Sequence, residues 1–137
     1  MTVLAFAAEY SYEDSSSGIE IPVMLTADDN RSVRLLAKVD TGAADCIFQR
    51  DYAEQLGITV ESGTPKTYST VTGSFVAYGH RLKLSCLEWE YEATIYFAAP
   101  PEYRRNVLGR AGWLQQFRVA IVDHDGKIFL SHYDDPN

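Results

Sequence analysis

Asp40, Thr41 and Gly42 are the residues of this chain whose types and spacing could do chemistry. An acid, a hydroxyl and a glycine stand in a row at the end of an apolar stretch, Val33-Arg34-Leu35-Leu36-Ala37-Lys38-Val39. The carboxylate can move protons, the hydroxyl can brace the loop that carries it, and the glycine lets backbone turn close beside it. One such acid is half a site. Hydrolysis by paired carboxylates needs two of them sharing one proton, because like charges about 3 Å apart cannot both ionise. The chain has no second Asp-Thr-Gly or Asp-Ser-Gly. A two-fold axis would place the same residue of two copies face to face, which makes a homodimer the simplest complete site.

A second motif lies downstream: Asn106-Val107-Leu108-Gly109-Arg110, followed by Ala111-Gly112-Trp113-Leu114-Gln115-Gln116-Phe117. With Asp40-Thr41-Gly42-Ala43 ahead of it, the sequence resembles the retropepsin-like aspartic proteases, the homodimeric relatives of retroviral proteases, over about residues 19–131. The resemblance implies an all-β fold, a closed barrel or sandwich of short antiparallel strands with a flap hairpin and one or two short helices. It implies an aspartic endopeptidase acting on extended peptides, with Asp40 of two subunits activating one water and Thr41 bracing the opposite loop. Gly42 would admit substrate backbone. The alternative is a peptide-binding or interaction module on the same fold with weak or no turnover, since fold does not dictate function.

The same resemblance assigns a substrate-binding set. Ala43 matches the retroviral-type members and withholds a hydroxyl that would favour an ionised carboxylate. Ala44 departs from the pattern, which carries an acid there. Asp45 would take over part of that role by holding substrate backbone or the Arg110 side chain, or it is an ordinary surface acid. Residues 70–76 would form the flap, with Val71, Thr72, Gly73 and Phe75 reaching substrate, or else a plain surface hairpin. Val107 would line a pocket or pack as core, and Arg110 would serve in a structural ion pair. The segment 111–117 could form the family's short C-terminal helix.

The elements that must position these residues are legible in the alternation. Ile19, Ile21, Val23 and Leu25 share one strand face. Pro22 demands an edge or an interrupted ladder. A turn at 28–32 returns the chain so that Val33, Leu35, Ala37 and Val39 form the core face, and Asp40 falls on the other face with Arg34, Leu36 and Lys38. A short helix is predicted over 51–56 with Gly57 as its stop, and a loop over 62–65. A long hairpin spans 67–84 with Gly73 near its tip. The next strand puts Trp89, Tyr91, Ala93, Ile95 and Phe97 on one face. A final hairpin turns at Asp123-His124-Asp125-Gly126. Residues 11–18 read as a polar loop and the tail from 132 as frayed.

Composition bounds the rest. One domain of 137 residues buries roughly two thirds of its unfolded surface. Twelve basic against nineteen acidic residues, a net charge of −7, argue against nucleic acid. No apolar run is long enough to span a membrane. Cys46 and Cys86 sit in apolar segments and read as buried free thiols of a cytoplasmic protein. His80, His124 and His132 show no metal-ligand spacing, and no cofactor motif is present, so neither metal nor cofactor is expected. Residues 3–8 and 127–130 are candidates for terminal strands at the dimer interface.

Overall fold

The computed structural model describes residues 1–15 and 17–136. Ten strands among them carry the fold: β1 Ala8–Ser11, β2 Glu20–Thr26, β3 Ser32–Val39, β4 Ile47–Phe48, β5 Thr64–Thr70, β6 Gly73–Cys86, β7 Trp89–Ala98, β8 Val107–Leu108, β9 Phe117–Val122 and β10 Lys127–His132. One helix, α1 Arg50–Gln55, is stopped as expected by Gly57, whose φ is +73°. No helix of the described residues is long and apolar enough to cross a membrane.

The strands form two sheets. Seven order as β2-β3-β8-β4-β7-β6-β5, and an extra β2–β6 pairing closes this sheet on itself. That pairing runs from Val23 to Thr26 and stops short of Pro22, which has no N–H to offer it. The inward residues are those the alternation marks: Ile21, Val23 and Leu25, then Leu35 and Ala37, then Leu82, Leu84 and Cys86, then Ala93, Ile95 and Phe97. The other three strands order as β1-β10-β9. Both edges of β10 are hydrogen-bonded within the chain, so the segment 127–130 has no free edge for a partner's strand. Of residues 3–8, only Ala8 is in a strand.

Four expectations are corrected. The segment 111–117 makes no α-helix: it forms a bridge from Ala111 to Asp45 and one 3-10 turn, Leu114–Gln116. Gly112, at φ +95°, breaks helical backbone there, and the fully buried Trp113 anchors the segment in the core instead. The loop expected at 62–65 is a 3-10 turn, Val60–Ser62, followed by β5, which already includes Thr64 and Pro65. Pro65 is tolerated because β5 is the last strand of its sheet. Within the stretch read as a polar loop, Ser11 ends β1 and Tyr12 is buried; Ser16 lies outside the described residues. The tail is not frayed: Tyr133 N donates to Gln116 O at 2.9 Å and the Arg118 guanidinium to Asp135 O at 2.8 Å. Asn137 lies outside the described residues.

Candidate active site

Strand β3 delivers Asp40, and β8 holds it in place. The two strands run parallel, Lys38 beside Val107 and Val39 beside Leu108. Asp40 N donates to Leu108 O at 3.0 Å, and Lys38 N to Asn106 O at 2.8 Å. Beyond Asp40 the loop stays stitched to the downstream motif: Arg110 N donates to Ala43 O at 2.8 Å and Ala111 N to Ala44 O at 2.9 Å. Gly109 is required by this close approach. A Cβ there would stand 2.2 Å from Asp45 O and 2.8 Å from Ala43 O.

The half-buried Asp40 carboxylate accepts a hydrogen bond from Gly42 N on Oδ1 at 3.0 Å. This Asx-type closure fixes the side chain's direction. Oδ2 has no hydrogen-bond partner among the described residues. Thr41, Gly42 and Ala44 are exposed, and Ala43 is half-buried. The acid therefore stands at an open surface with one oxygen engaged and one available, which is what transfer of a proton to or from a bound water needs.

Asp45 is neither a surface acid nor the partner of Arg110 among the described residues. It is 7% exposed, and its Oδ2 accepts from Lys66 Nζ at 2.6 Å and from the Tyr68 hydroxyl at 2.7 Å. Lys66 and Tyr68 belong to β5, so Asp45 ties the loop of Asp40 to the β5–β6 hairpin. Its hydrogen bond holds the Lys66 ammonium above the usual lysine range. Burial, and then Asp45, push the Tyr68 hydroxyl well up. The Lys66 ammonium also stands 5.5 Å from the Tyr68 ring centroid and 5.6 Å from that of Tyr96. Arg110 is exposed and makes no ion pair among the described residues.

The hairpin turns through Val71 and Thr72, with Thr70 opposite Gly73. Val71 and Thr72 are exposed. The Thr70 hydroxyl donates to Gly73 O at 3.0 Å, and Gly73 adopts φ +147° with open space where a side chain would go. Phe75 is not free at the tip. It stacks on Tyr68 at 5.6 Å and packs on Tyr103 at 5.0 Å between ring centroids. A cleft of about 300 Å³ opens between residues 70–75 and Pro100, Glu102 and Tyr103. The Tyr103 hydroxyl is pushed up to about 12, first by burial; the charge of Asp40 adds to the shift and Arg105 opposes it. Val107 is 4% exposed and paired on both sides, with Lys38 and with Ile47, which fits the core alternative.

Sequence reasoning missed Lys66, Tyr68 and Tyr103. The signal for Lys66 and Tyr68 was present in the alternation of β5, which puts them on one face, with Tyr68 in register with Phe75. For Tyr103 there was none, because it lies in an irregular segment. The thiols are as expected: Cys46 and Cys86 are free and buried. Among the described residues one set of side chains could hold a metal, the ligand atoms of His132, Asp134 and Asp135 converging within 4.8 Å at the tail. Its members already bond one another, His132 Nδ1 to the Asp134 carboxylate and His132 N to Asp135 Oδ2.

Comparisons with known proteins agree with this geometry. A retropepsin-like aspartic protease from Rickettsia conorii superposes with a TM-score of 0.65 at 20% identity, over 90% of this chain and 99% of that one. The EIAV protease, solved with the inhibitor HBY-793, superposes with a TM-score of 0.50 at 17% identity, over 66% of this chain and 80% of that one. At these identities the likeness is one of fold, and the all-β retropepsin-like architecture is shared. No curated protein matches the chain at a significant level. The family model of the aspartyl proteases matches residues 23–111, which takes in Asp40, the hairpin and Gly109. The chain belongs to the aspartyl protease family.

Proposed function

We propose that the protein is a homodimeric aspartic endopeptidase in which two copies of Asp40 share one water and one proton. The observation that carries this reading is the single Asp40 per chain, half-buried, with Oδ1 fixed by Gly42 and Oδ2 unengaged. One carboxylate takes the proton of the water as it attacks the peptide carbonyl. The other donates to the carbonyl oxygen, and a proton then reaches the leaving amine. The pair titrates as a unit. Thr41, exposed in the single chain, braces the partner's loop in this reading. The β5–β6 hairpin serves as the flap, closing over an extended peptide with Val71 and Thr72 at its tip and excluding water. The two free, buried thiols support a reducing, cytoplasmic setting.

The test couples activity to association. Purified protein is assayed on a casein-like substrate with and without a statine-type inhibitor, and its mass is followed by sedimentation over the same concentrations. Inhibitable cleavage that tracks the dimer is expected. Cleavage by a strict monomer would overturn the shared dyad, and inhibitor binding without cleavage would leave a peptide-binding module.

A further inference from the structure

A second cleft of about 410 Å³ is lined by Lys38, two residues before Asp40, and its chemistry is unlike the first. Lys38, Arg104 and Arg105 line it with Asn106, and Glu20 is its one carboxylate. Three cations gathered in one cleft are unusual for a chain whose net charge is −7.

Its position relative to Asp40 follows from the strands. Lys38 and Asp40 alternate onto the same open face of β3. Backbone bonds from Lys38 to Asn106 and from Asp40 to Leu108 bring the 105–108 segment alongside. Arg105 precedes Asn106, whose carbonyl accepts from Lys38 N, so Lys38 and Arg105 reach the cleft from adjoining segments of the chain. Tyr103 lines the cleft beside the hairpin, and its chain neighbours Arg104 and Arg105 line the basic one.

The partners already present do not neutralise it. Arg104 is held by Asp51 at 2.9 Å. Asn106 Oδ1 accepts from Gln49 N at 3.1 Å and is committed. Glu20 is the register partner of Lys38 across β2 and β3, yet no ion pair forms between them. Lys38 is half-buried, Arg105 is exposed, and neither has an ionic partner among the described residues. A carboxylate entering the cleft would meet both, and charge-assisted hydrogen bonds to such a group are the strong ones. It would also offset the repulsion a substrate acid feels from Asp40 itself.

We propose that this cleft selects peptide substrates carrying a glutamate or aspartate side chain close to the scissile bond, with Lys38 and Arg105 as the residues that read it. The inference rests on the peptidase reading above, and it names a specificity that reading leaves open.

The experiment uses the full chain and peptide pairs that differ only by Glu or Gln at each position flanking the cleaved bond. A parallel set carries a statine unit in place of that bond, and its binding is read by fluorescence anisotropy. At one position Glu should be preferred over Gln by about tenfold to a hundredfold in kcat/KM and in affinity. The preference should weaken as salt is raised, because the site is open to solvent. Arg105→Gln and Lys38→Gln should each shrink the Glu/Gln ratio, and the double variant should bring it near one. Arg105→Glu should shift preference toward a basic side chain. A wild-type ratio near one, or a ratio untouched in the double variant, overturns the proposal while leaving the peptidase standing. If no peptide is cleaved, the peptidase reading falls by itself. The statine pair still decides the cleft: tighter binding of the Glu form supports it, and equal or absent binding overturns it.

Discussion

Lys66 and Asp45 meet at 2.6 Å and join the root of the β5–β6 hairpin to the loop five residues beyond Asp40. The Asp45 side chain is largely buried while that of Lys66 is nearly half exposed, so the contact is a surface-accessible latch on an interior acid. Lys66→Met leaves Asp45 with the Tyr68 hydroxyl alone and should cost about 1 kcal/mol. Asp45→Ala strands both donors and should cost about 2–4 kcal/mol. Amide hydrogen exchange should quicken along 64–78 in both variants before the rest of the barrel responds. Unchanged exchange in the hairpin would show that the latch does not hold it.

Asp40→Asn is isosteric and keeps the acceptor oxygen that Gly42 N uses. Melting temperature should stay within a few degrees of the parent. Cleavage should fall by at least about 10²–10⁴-fold, the range for one lost acid–base group, since a symmetric dimer loses both copies. Activity within a few-fold of the parent would move the chemistry elsewhere.

Two glycines should behave differently. Gly109→Ala forces a methyl against the Asp45 and Ala43 carbonyls, backbone atoms that cannot swing aside. We expect a loss of about 3 kcal/mol or more, read by denaturant titration. Gly73→Val meets no neighbour, but φ +147° strains any side chain. Its cost should be about 1–2 kcal/mol, confined to the hairpin, with turnover and peptide affinity falling together. Wild-type kinetics in Gly73→Val would make the hairpin a bystander.

The first loss of stability on the alkaline side, between pH 9 and 10, should be set by the thiols, with the half-buried tyrosines adding to it above pH 10. Burial pushes Cys46 up to about 12 and Cys86 up to about 11 from an ordinary value of 9.0. The unfolded chain then releases both protons near pH 9 while the folded chain still holds them. The stability they contribute is fully present below pH 9 and is lost as pH rises toward 11–12, at up to about 1.4 kcal/mol per pH unit for each thiol. Urea midpoints between pH 8 and 10.5 should fall accordingly, and Cys86→Ala should make the decline shallower. A flat profile would mean that the thiols ionise alike in both states.

The sequence by itself determined whatever is local. Asp-Thr-Gly carries its acid, hydroxyl and turn residue in consecutive positions. A period of two marks which side chains of β2, β3, β6 and β7 face inward, because successive side chains of a strand point to opposite faces. Gly57 and the 123–126 turn punctuate the chain through their own backbone preferences. Only the tertiary structure decided what meets across the fold. Asp45 has nothing beside it in sequence to suggest burial, and it finds Lys66 and Tyr68 because β5 folds back over the Asp40 loop. Phe75 reads as a tip residue until the 99–106 segment brings Tyr103 against it. The family resemblance offers a helix over Ala111 to Phe117, yet Gly112 at φ +95° and the fully buried Trp113 give that segment another course. In each case strand order sets the outcome: alternation fixes a residue's face, whereas its partner is chosen by pairings that span tens of residues.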